Sequence, residues 1–179
     1  MTTPVIIEDY DPCWPEQFEL LCSRIAPALG TLSVAIEHVG STAVPGLAAK
    51  PIIDIDVLLR SVADLSEAIT LLASLGYQHQ GNLGVPGREA FRPPPNDVPH
   101  HLYVHEPASR EYSRHIMLRN HMRANPEDAQ AYEQLKRALA SEYRDEREAY
   151  SQAKTEFVEA ILRRANATEH SQAANRIIL

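Results

Sequence analysis

The chain has 179 residues, 44 % of them hydrophobic, which suits a single domain whose core needs no disulfide to hold it. Its two cysteines, Cys13 and Cys22, are too few for a disulfide framework and lack the spacing of a zinc site. The net charge of −7 argues against broad binding to nucleic acid, and no apolar run is long enough to span a membrane. Because the first residues also lack the layout of a secretory signal, we expect a cytoplasmic protein.

The charge is unevenly distributed along the chain. Residues 1–109 contain 5 Lys+Arg and 13 Asp+Glu, a net charge of −8, whereas residues 110–179 contain 12 and 11, a net charge of +1. An anionic ligand would be repelled by the first part unless cations of the second part, or a bound metal ion, offset that charge. We therefore expect any phosphate site to lie between the two parts.

The first part of the chain alternates predicted strands and helices. Helices are predicted from Pro15 to Gly30 and from a Ser61 cap to Gly76, each with apolar residues at helical spacing. Strands are predicted, from β-branched residues and turn signals, at residues 5–7 (an edge), 34–39 and 52–59 (a central hairpin-like pair), 77–81, 89–92 and 100–106. This alternation predicts an α/β (α+β) fold.

The second part predicts helices alone, over about 110–124, 126–143 and 146–165. Asn125 and Pro126 separate the first two, as a cap followed by a first-turn proline. We expect this helical portion to pack on the sheet of a single domain spanning residues 1–165, with residues 166–179 as a flexible tail.

The loop between the two central strands carries the strongest chemical signal. Gly40 and Ser41 directly follow a strand, where backbone amides and the hydroxyls of Ser41 and Thr42 can contact phosphate oxygens. Lys50 adds a cation near the same loop. A Gly-Ser pair alone is an ordinary turn in most proteins.

Two carboxylates follow on the next strand. Asp54 and Asp56 alternate along it, so both project from the same face, and two like charges that close favour a divalent cation between them. Oxygen ligands with room for water and phosphate suit Mg²⁺. A DxD pair alone is common by chance, but a strand, Gly-Ser, twelve residues and DID together match the nucleotidyltransferase pattern hG[GS]…Dh[DE]h.

The sequence also resembles the GrpB family over nearly its whole length to about residue 165. The similarity is concentrated in residues 37–55, in Tyr10, Asp11, Pro12, Trp14 and Phe18, in residues 100–102, in Arg119, Arg123, Asn125 and Pro126, and in Tyr132, Leu135, Lys136, Tyr150 and Lys154. The resemblance implies a nucleotidyltransferase-like mixed sheet flanked by helices. It also implies a link to coenzyme A metabolism, because such domains are fused to dephospho-CoA kinase in some proteins, but it supplies no established substrate.

Active nucleotidyltransferases usually have a third carboxylate on a neighbouring strand. Here the candidate strand, residues 100–106, has no acid beside His101 and Tyr103. His101 is therefore a candidate catalytic residue, although an imidazole favours softer cations than Mg²⁺. The alternative is that His100, His101 and His105 are hydrogen-bonded strand histidines at the wall of a cleft.

Basic residues of the second part are candidates for binding phosphate. Arg119 and Arg123, with His115, fall on one stripe of the first late helix, and guanidinium groups on that stripe would suit a polyphosphate. The alternative for both arginines is a solvated face or structural pairing with acids. Lys136 and Lys154 have the alternative of being plain surface lysines.

Three functions fit these residues. The leading hypothesis is a Mg²⁺-dependent nucleotidyltransferase that uses a nucleoside triphosphate and a small-molecule acceptor, with Asp54, Asp56 and His101 as catalytic residues. The second is a non-catalytic nucleotide- or phosphate-binding module of the same fold, and the third is a metal-dependent hydrolase that uses His101 and the two aspartates. The acceptor, the base preference and the oligomeric state are left open.

Overall fold

A computed structural model describes the backbone of residues 4–177 and the side chains of residues 4–167. Five strands form one sheet in the order β1-β2-β5-β4-β3. They are β1 (Ser33–Val39), β2 (Ile53–Leu59), β3 (Gln78–His79), β4 (Arg88–Arg92) and β5 (His100–His105). β2 and β5 are parallel and the other neighbours are antiparallel, so the predicted mixed sheet and its central hairpin are confirmed.

Helices cover both faces of the sheet. They are α1 (Trp14–Leu29), α2 (Leu65–Ser74), α3 (Arg110–Ala124), α4 (Pro126–Glu142), α5 (Arg147–Ala153) and α6 (Thr155–Ile177). The main core lies between the sheet and helices α1 and α2. A second cluster joins the loop after β1 to α3, α4 and α6, so the C-terminal helices pack over the opposite side.

The alternation of β2 decides where its carboxylates lie. Ile53, Ile55 and Val57 are fully buried in the core with α1 and α2. Asp54 and Asp56 therefore project from the other face, which α3 covers. Each buried isoleucine contributes about 1.5–3 kcal/mol, and a one-residue slip of β2 would bury the carboxylates in the core instead. The apolar positions thus set the orientation of the polar ones.

Two elements differ from the sequence prediction. Residues 5–7 form no strand, because Val5 donates its N–H to the Arg144 carbonyl at 2.7 Å and packs with Leu139 and Tyr150, leaving only an isolated bridge between Glu8 and Ala49. The predicted helix over 146–165 is instead two helices, α5 and α6.

The C-terminal end of the chain extends beyond the predicted domain boundary. The backbone of α6 continues to Ile177, past the predicted start of the tail at residue 166. The flexibility of residues 166–179 stays a prediction, because residues 178 and 179 and the side chains after 167 lie outside the described residues. Among the described residues, no helix combines the length and the hydrophobicity that crossing a bilayer requires.

Candidate functional site

The bend after β1 and the carboxylate of Asp54 are in contact. The antiparallel register pairs Val39 with Asp54, so the residue after Val39 lies beside that carboxylate. Gly40 has φ +72° and ψ −168°, and a Cβ there would lie 2.2 Å from Asp54 Oδ2. Only glycine fits this position, for its conformation and for its lack of a side chain. The structure therefore brings together the two motifs that the sequence singled out.

The bend continues as a short 3-10 helix over Ser41–Ala43. The hydroxyl of Thr42 lies 2.9 Å from His38 Nε2 and its side chain is buried. Burial lowers the pKa of His38 to about 4, so the ring is neutral at physiological pH. Thr42 therefore holds the bend from inside, whereas Ser41 lines the pocket beside the bend.

A pocket of about 230 Å³ opens beside the bend. It is lined by Gly40, Ser41, Thr42, Ala49, Lys50, Ile52, Asp54, His101, Tyr132, Lys136, Tyr150 and Lys154. Residues of the acidic first part and of the nearly neutral second part both contribute to it. The pocket thus lies between the two parts, which is where the charge distribution predicts that a phosphate site would lie.

All three lysines of the chain line this pocket, although the chain also has 14 arginines. Lys154 Nζ lies 4.2 Å from the ring centroid of Tyr150, and Lys136 Nζ lies 4.9 Å from that of Tyr132. Lys136 is buried and donates to the Ala48 carbonyl oxygen. Lys136 is therefore not a surface lysine, and Lys154 is half-buried with its amine over the Tyr150 ring.

Burial and repulsion by neighbouring cations lower the pKa values of all three lysines. Burial, reinforced by the charge of Lys154, lowers the pKa of Lys136 to about 7. Burial, reinforced by Lys50, lowers the pKa of Lys154 to about 8, and burial with Arg147 lowers the pKa of Lys50. The charged forms of the three amines are thus disfavoured by burial and by repulsion between them. An anion bound beside them would stabilise these charged forms, so the pocket favours an anionic ligand.

Asp54 forms the acidic wall of the pocket. Its Oδ1 lies 2.8 Å from His101 Nδ1, and 31 % of its side chain is exposed. The other ring nitrogen of His101 lies 3.2 Å from Arg147 Nη2. Register pairs His101 with Asp54 on parallel strands, so both predicted residues share one face. His101 thus orients the carboxylate toward the pocket.

Asp56 lies in different surroundings from Asp54. It is fully buried, with Oδ2 2.6 Å from His115 Nδ1 and Oδ1 3.2 Å from His105 Nε2. Burial alone would raise the pKa of Asp56, but the contacts with His105 and His115 outweigh it and lower the value. Burial would likewise lower the pKa of His115, but its contacts with Asp56 and Glu111 raise it to about 10.

These surroundings decide how well the aspartates suit Mg²⁺. The ion prefers carboxylate and water oxygens in an octahedral shell. Asp54 offers such a group at an open wall. Both oxygens of Asp56 instead face imidazole nitrogens in a buried setting, so in this arrangement Asp56 does not fit Mg²⁺.

The basic stripe of α3 contacts the end of β1 and the bend, in place of the phosphate-binding role predicted for Arg119 and Arg123. Arg119 Nη1 donates to Glu37 Oε2 at 2.6 Å and to the His38 carbonyl at 2.9 Å. Arg123 donates from Nε and Nη2 to the Ala43 carbonyl at 2.9 and 2.6 Å. Both guanidinium groups therefore hold the strand end and the bend in place, and neither lines the lysine pocket.

The sequence did not predict the histidines around Asp56 or the acid that pairs with Asp56 on β1. Asp56 pairs in register with Tyr103 on β5, so no acid stands at that neighbouring position, as predicted. On its other side it pairs with Glu37 of β1, which lies on the same face. The signal for Glu37 was present in the antiparallel register of the hairpin, whereas the approach of His105 and His115 depends on tertiary packing.

A larger groove of about 750 Å³ lies on the far side of the bend, between residues 45–47 and helices α3 and α4. Of its three charged residues, Glu133 and Arg137 pair with each other at 3.0 Å, and Arg123 donates to the Ala43 carbonyl. It contains neither aspartate of the motif, so the smaller lysine pocket is the better candidate site.

Comparison with known proteins gives a consistent family. The family model described as GrpB protein matches residues 4–164. A Streptomyces coelicolor relative named UPF0157 protein SCO7215 is 37 % identical over 161 residues, covering 90 % of this chain and 84 % of that protein. A Mycolicibacterium paratuberculosis protein named dephospho-CoA kinase is 39 % identical over 77 residues, which is 41 % of this chain and 19 % of that protein.

Solved structures agree with the fold. The crystal structure of the conserved protein GrpB from Enterococcus faecalis superposes with a TM-score of 0.83 at 33 % identity, covering 92 % of this chain and 99 % of that chain. The structure of Cid1 in complex with its short product ApU superposes with a TM-score of 0.53 at 10 % identity, covering 73 % and 42 %. The second likeness is one of fold alone.

Proposed function

From the premise that this chain belongs to the GrpB family, with a nucleotidyltransferase-like fold, we propose that it binds the phosphate groups of a nucleoside triphosphate in the lysine pocket. The observation that carries the proposal is the convergence of every lysine of the chain on one pocket beside Gly40 and Ser41. Lysine is a point charge that suits phosphate oxygens, and a glycine bend lets backbone amides approach them. Because the chain as a whole has a net charge of −7, such a concentration of cations favours binding of an anion at this pocket.

Asp54 gives the pocket its dependence on metal. A carboxylate at the wall would repel a triphosphate, and Asp54 would therefore hold a Mg²⁺ ion whose charge offsets this repulsion. His101 holds Asp54 Oδ1 and so keeps the carboxylate in place for that contact. When bound, the ion would supply charge neutralisation between Asp54 and the phosphates.

Calorimetry with ATP, CTP, GTP and UTP, each with and without Mg²⁺, tests this proposal. We expect Mg²⁺-dependent binding to the wild-type chain, and a loss of affinity of about 10- to 100-fold in Lys154→Met, because a hydrogen bond to a charged group contributes about 1.5–3 kcal/mol. Asp54→Asn should remove the dependence on Mg²⁺. The matched control is Arg137→Met, which removes an exposed cation one residue from Lys136 and outside the pocket. Equal affinity in Lys154→Met and Arg137→Met would refute the assignment.

A second candidate function is nucleotidyl transfer to a small-molecule acceptor. It is favoured by Asp54 and Asp56, which project from one face of β2 beside the Gly40 bend. Transfer that used both carboxylates would require Asp56 to leave His105 and His115, so binding is the function that the geometry supports better. Release of pyrophosphate in the presence of acceptors would support transfer, whereas binding without turnover would support a non-catalytic module.

A link to coenzyme A metabolism belongs with the same experiment. It is supported by the similarity to a 77-residue segment of a protein named dephospho-CoA kinase. Dephospho-CoA carries a pyrophosphate that the lysines could bind, so it should be titrated beside the nucleotides. Affinity for dephospho-CoA that falls in Lys154→Met would support the link, and no binding would remove it.

A further inference from the structure

Asp56, His105 and His115 form a compact buried cluster beneath α3. Asp56 and His105 are fully buried, and 26 % of the His115 side chain is exposed. One ligand atom from each residue lies within 4.8 Å of those of the other two. Among the described residues, this is the one group of three His, Cys, Asp or Glu side chains so close together. The lysine pocket does not use any of the three.

Within the part of the chain that the structure describes, two buried atoms of the cluster have no hydrogen bond of good geometry. Asp56 Oδ1 and His105 Nε2 are both buried without a well-aligned hydrogen bond, and they lie 3.2 Å apart. Burying a polar atom without a partner is costly, so each such atom in a folded protein calls for an explanation. A cation between the two would satisfy both.

The outer nitrogens of the two histidines are already occupied. His105 Nδ1 lies 3.1 Å from Ser109 Oγ, and His115 Nε2 lies 3.3 Å from Glu111 Oε1. These contacts leave His105 Nε2 and His115 Nδ1 directed at the Asp56 carboxylate. Metal-binding histidines have this arrangement, in which a carboxylate or other oxygen holds the far nitrogen and orients the ring.

We propose that Asp56, His105 and His115 bind a transition-metal cation of the Zn²⁺ or Co²⁺ type. Two imidazoles and one carboxylate suit these ions, whereas Mg²⁺ prefers oxygen ligands alone. Metal–ligand bonds of about 2.0–2.1 Å in a tetrahedron place ligand atoms about 3.3 Å apart, close to the separation of His105 Nε2 and Asp56 Oδ1. The ion would replace the proton between His115 Nδ1 and Asp56 Oδ2, which lie 2.6 Å apart. Three protein ligands leave one position for water or another ligand.

The proposed metal site is separate from the lysine pocket, so the two aspartates of the DxD pair belong to different sites. Asp54 lines the lysine pocket and would hold a Mg²⁺ bound to phosphate, while Asp56 contacts His105 and His115 and would hold the softer ion. The two sites can therefore be tested separately in one set of variants.

The test is a titration of chelator-treated full-length protein with Zn²⁺, Co²⁺, Mn²⁺ and Mg²⁺, each alone, by calorimetry, with visible absorption for Co²⁺. We expect one equivalent of Zn²⁺ or Co²⁺ per chain, with absorption bands that report nitrogen and oxygen ligands. His115→Gln should lose this binding, and Glu111→Gln should weaken it about 10- to 100-fold, as removal of an orienting partner does. His115→Gln is the ligand variant because its side chain is the one partly exposed, and circular dichroism checks that it folds.

The controls separate this site from the others. His121→Gln changes a histidine on the same helix that pairs with Asp128, and it should bind the ion like the wild type. Asp54→Asn should also leave Zn²⁺ or Co²⁺ binding unchanged while it alters nucleotide binding. The proposal is overturned if no transition ion binds stoichiometrically, if Mg²⁺ binds at Asp56 in preference, or if folded His115→Gln binds the ion as tightly as His121→Gln does.

Discussion

Replacement of Gly40 by alanine should damage the protein more than any other glycine substitution near the site. The new Cβ would lie 2.2 Å from Asp54 Oδ2 and 3.0 Å from Asp54 Cγ, distances that force a shift. The backbone conformation at φ +72° and ψ −168° costs an alanine about 1–3 kcal/mol. Overpacking against Asp54 adds about 1–3 kcal/mol. Together these reduce the free energy of unfolding by about 2–6 kcal/mol.

Gly46→Ala is the matched control. Gly46 also has positive φ, +80°, but an added Cβ there meets no heavy atom within 4 Å. It should lose only the backbone contribution of about 1–3 kcal/mol. Urea denaturation of both variants measures the difference, which isolates the contact with Asp54, and each kcal/mol should also lower Tm by about 2–4 °C.

A double-mutant cycle makes the test sharper. In an Asp54→Ala background the atoms at 2.2 and 3.0 Å are gone and only the Cβ of residue 54, at 3.1 Å, remains, so Gly40→Ala should cost less than in the wild-type background and approach the cost of Gly46→Ala. If Gly40→Ala and Gly46→Ala lose equal stability in the wild-type background, or if Asp54→Ala leaves the cost of Gly40→Ala unchanged, the inferred contact between bend and carboxylate is wrong.

Further predictions concern the charged groups around the bend. Nucleotide affinity should fall as pH rises from 6 to 9, because Lys136, with a pKa of about 7, and Lys154, with a pKa of about 8, lose the protons whose charge attracts the phosphates. Nucleotide binding should also take up protons near pH 7.5. Calorimetry in buffers of different ionisation enthalpy measures this uptake. An affinity that rises over this range would contradict the role of the lysines. Arg123→Met should lower the free energy of unfolding by about 1–3 kcal/mol, because the Ala43 carbonyl loses the two N–H donors of Arg123. Under conditions where the variant is fully folded, its affinity for Mg²⁺-nucleotide should change less than threefold. A large loss of affinity with unchanged stability would show instead that Arg123 contacts the ligand.

The parts of the site that the sequence predicted are those set by local pattern. The hairpin of β1 and β2 follows from apolar alternation, and that alternation alone fixes Asp54 and Asp56 on one face. The spacing of His115, Arg119 and Arg123 on one stripe of α3 follows from helical periodicity in the same way. Both were correct because neighbours in sequence determine them.

The parts that the sequence did not predict depend on contacts between distant segments. Lys136 and Lys154 are separated from Lys50 by more than eighty residues, and their convergence requires the packing of α4 and α5 over the bend. His105 reaches Asp56 from a neighbouring strand and His115 from a helix. Burial, which divides the two aspartates into different chemical settings, is a property of the assembled layers and has no local signature.

The parallel pairing of β2 with β5 also bears on how the chain acquires its structure. Asp54 and His101 are 47 residues apart, and the bonds between their strands form only after the intervening segment has closed on itself. A nascent chain emerging from a ribosome can close the β1–β2 hairpin early, but the histidines and two of the lysines arrive only with the second half of synthesis. We therefore expect β2 to remain without its histidine and lysine partners until the C-terminal helices pack on the sheet. This packing should be the slow step of refolding.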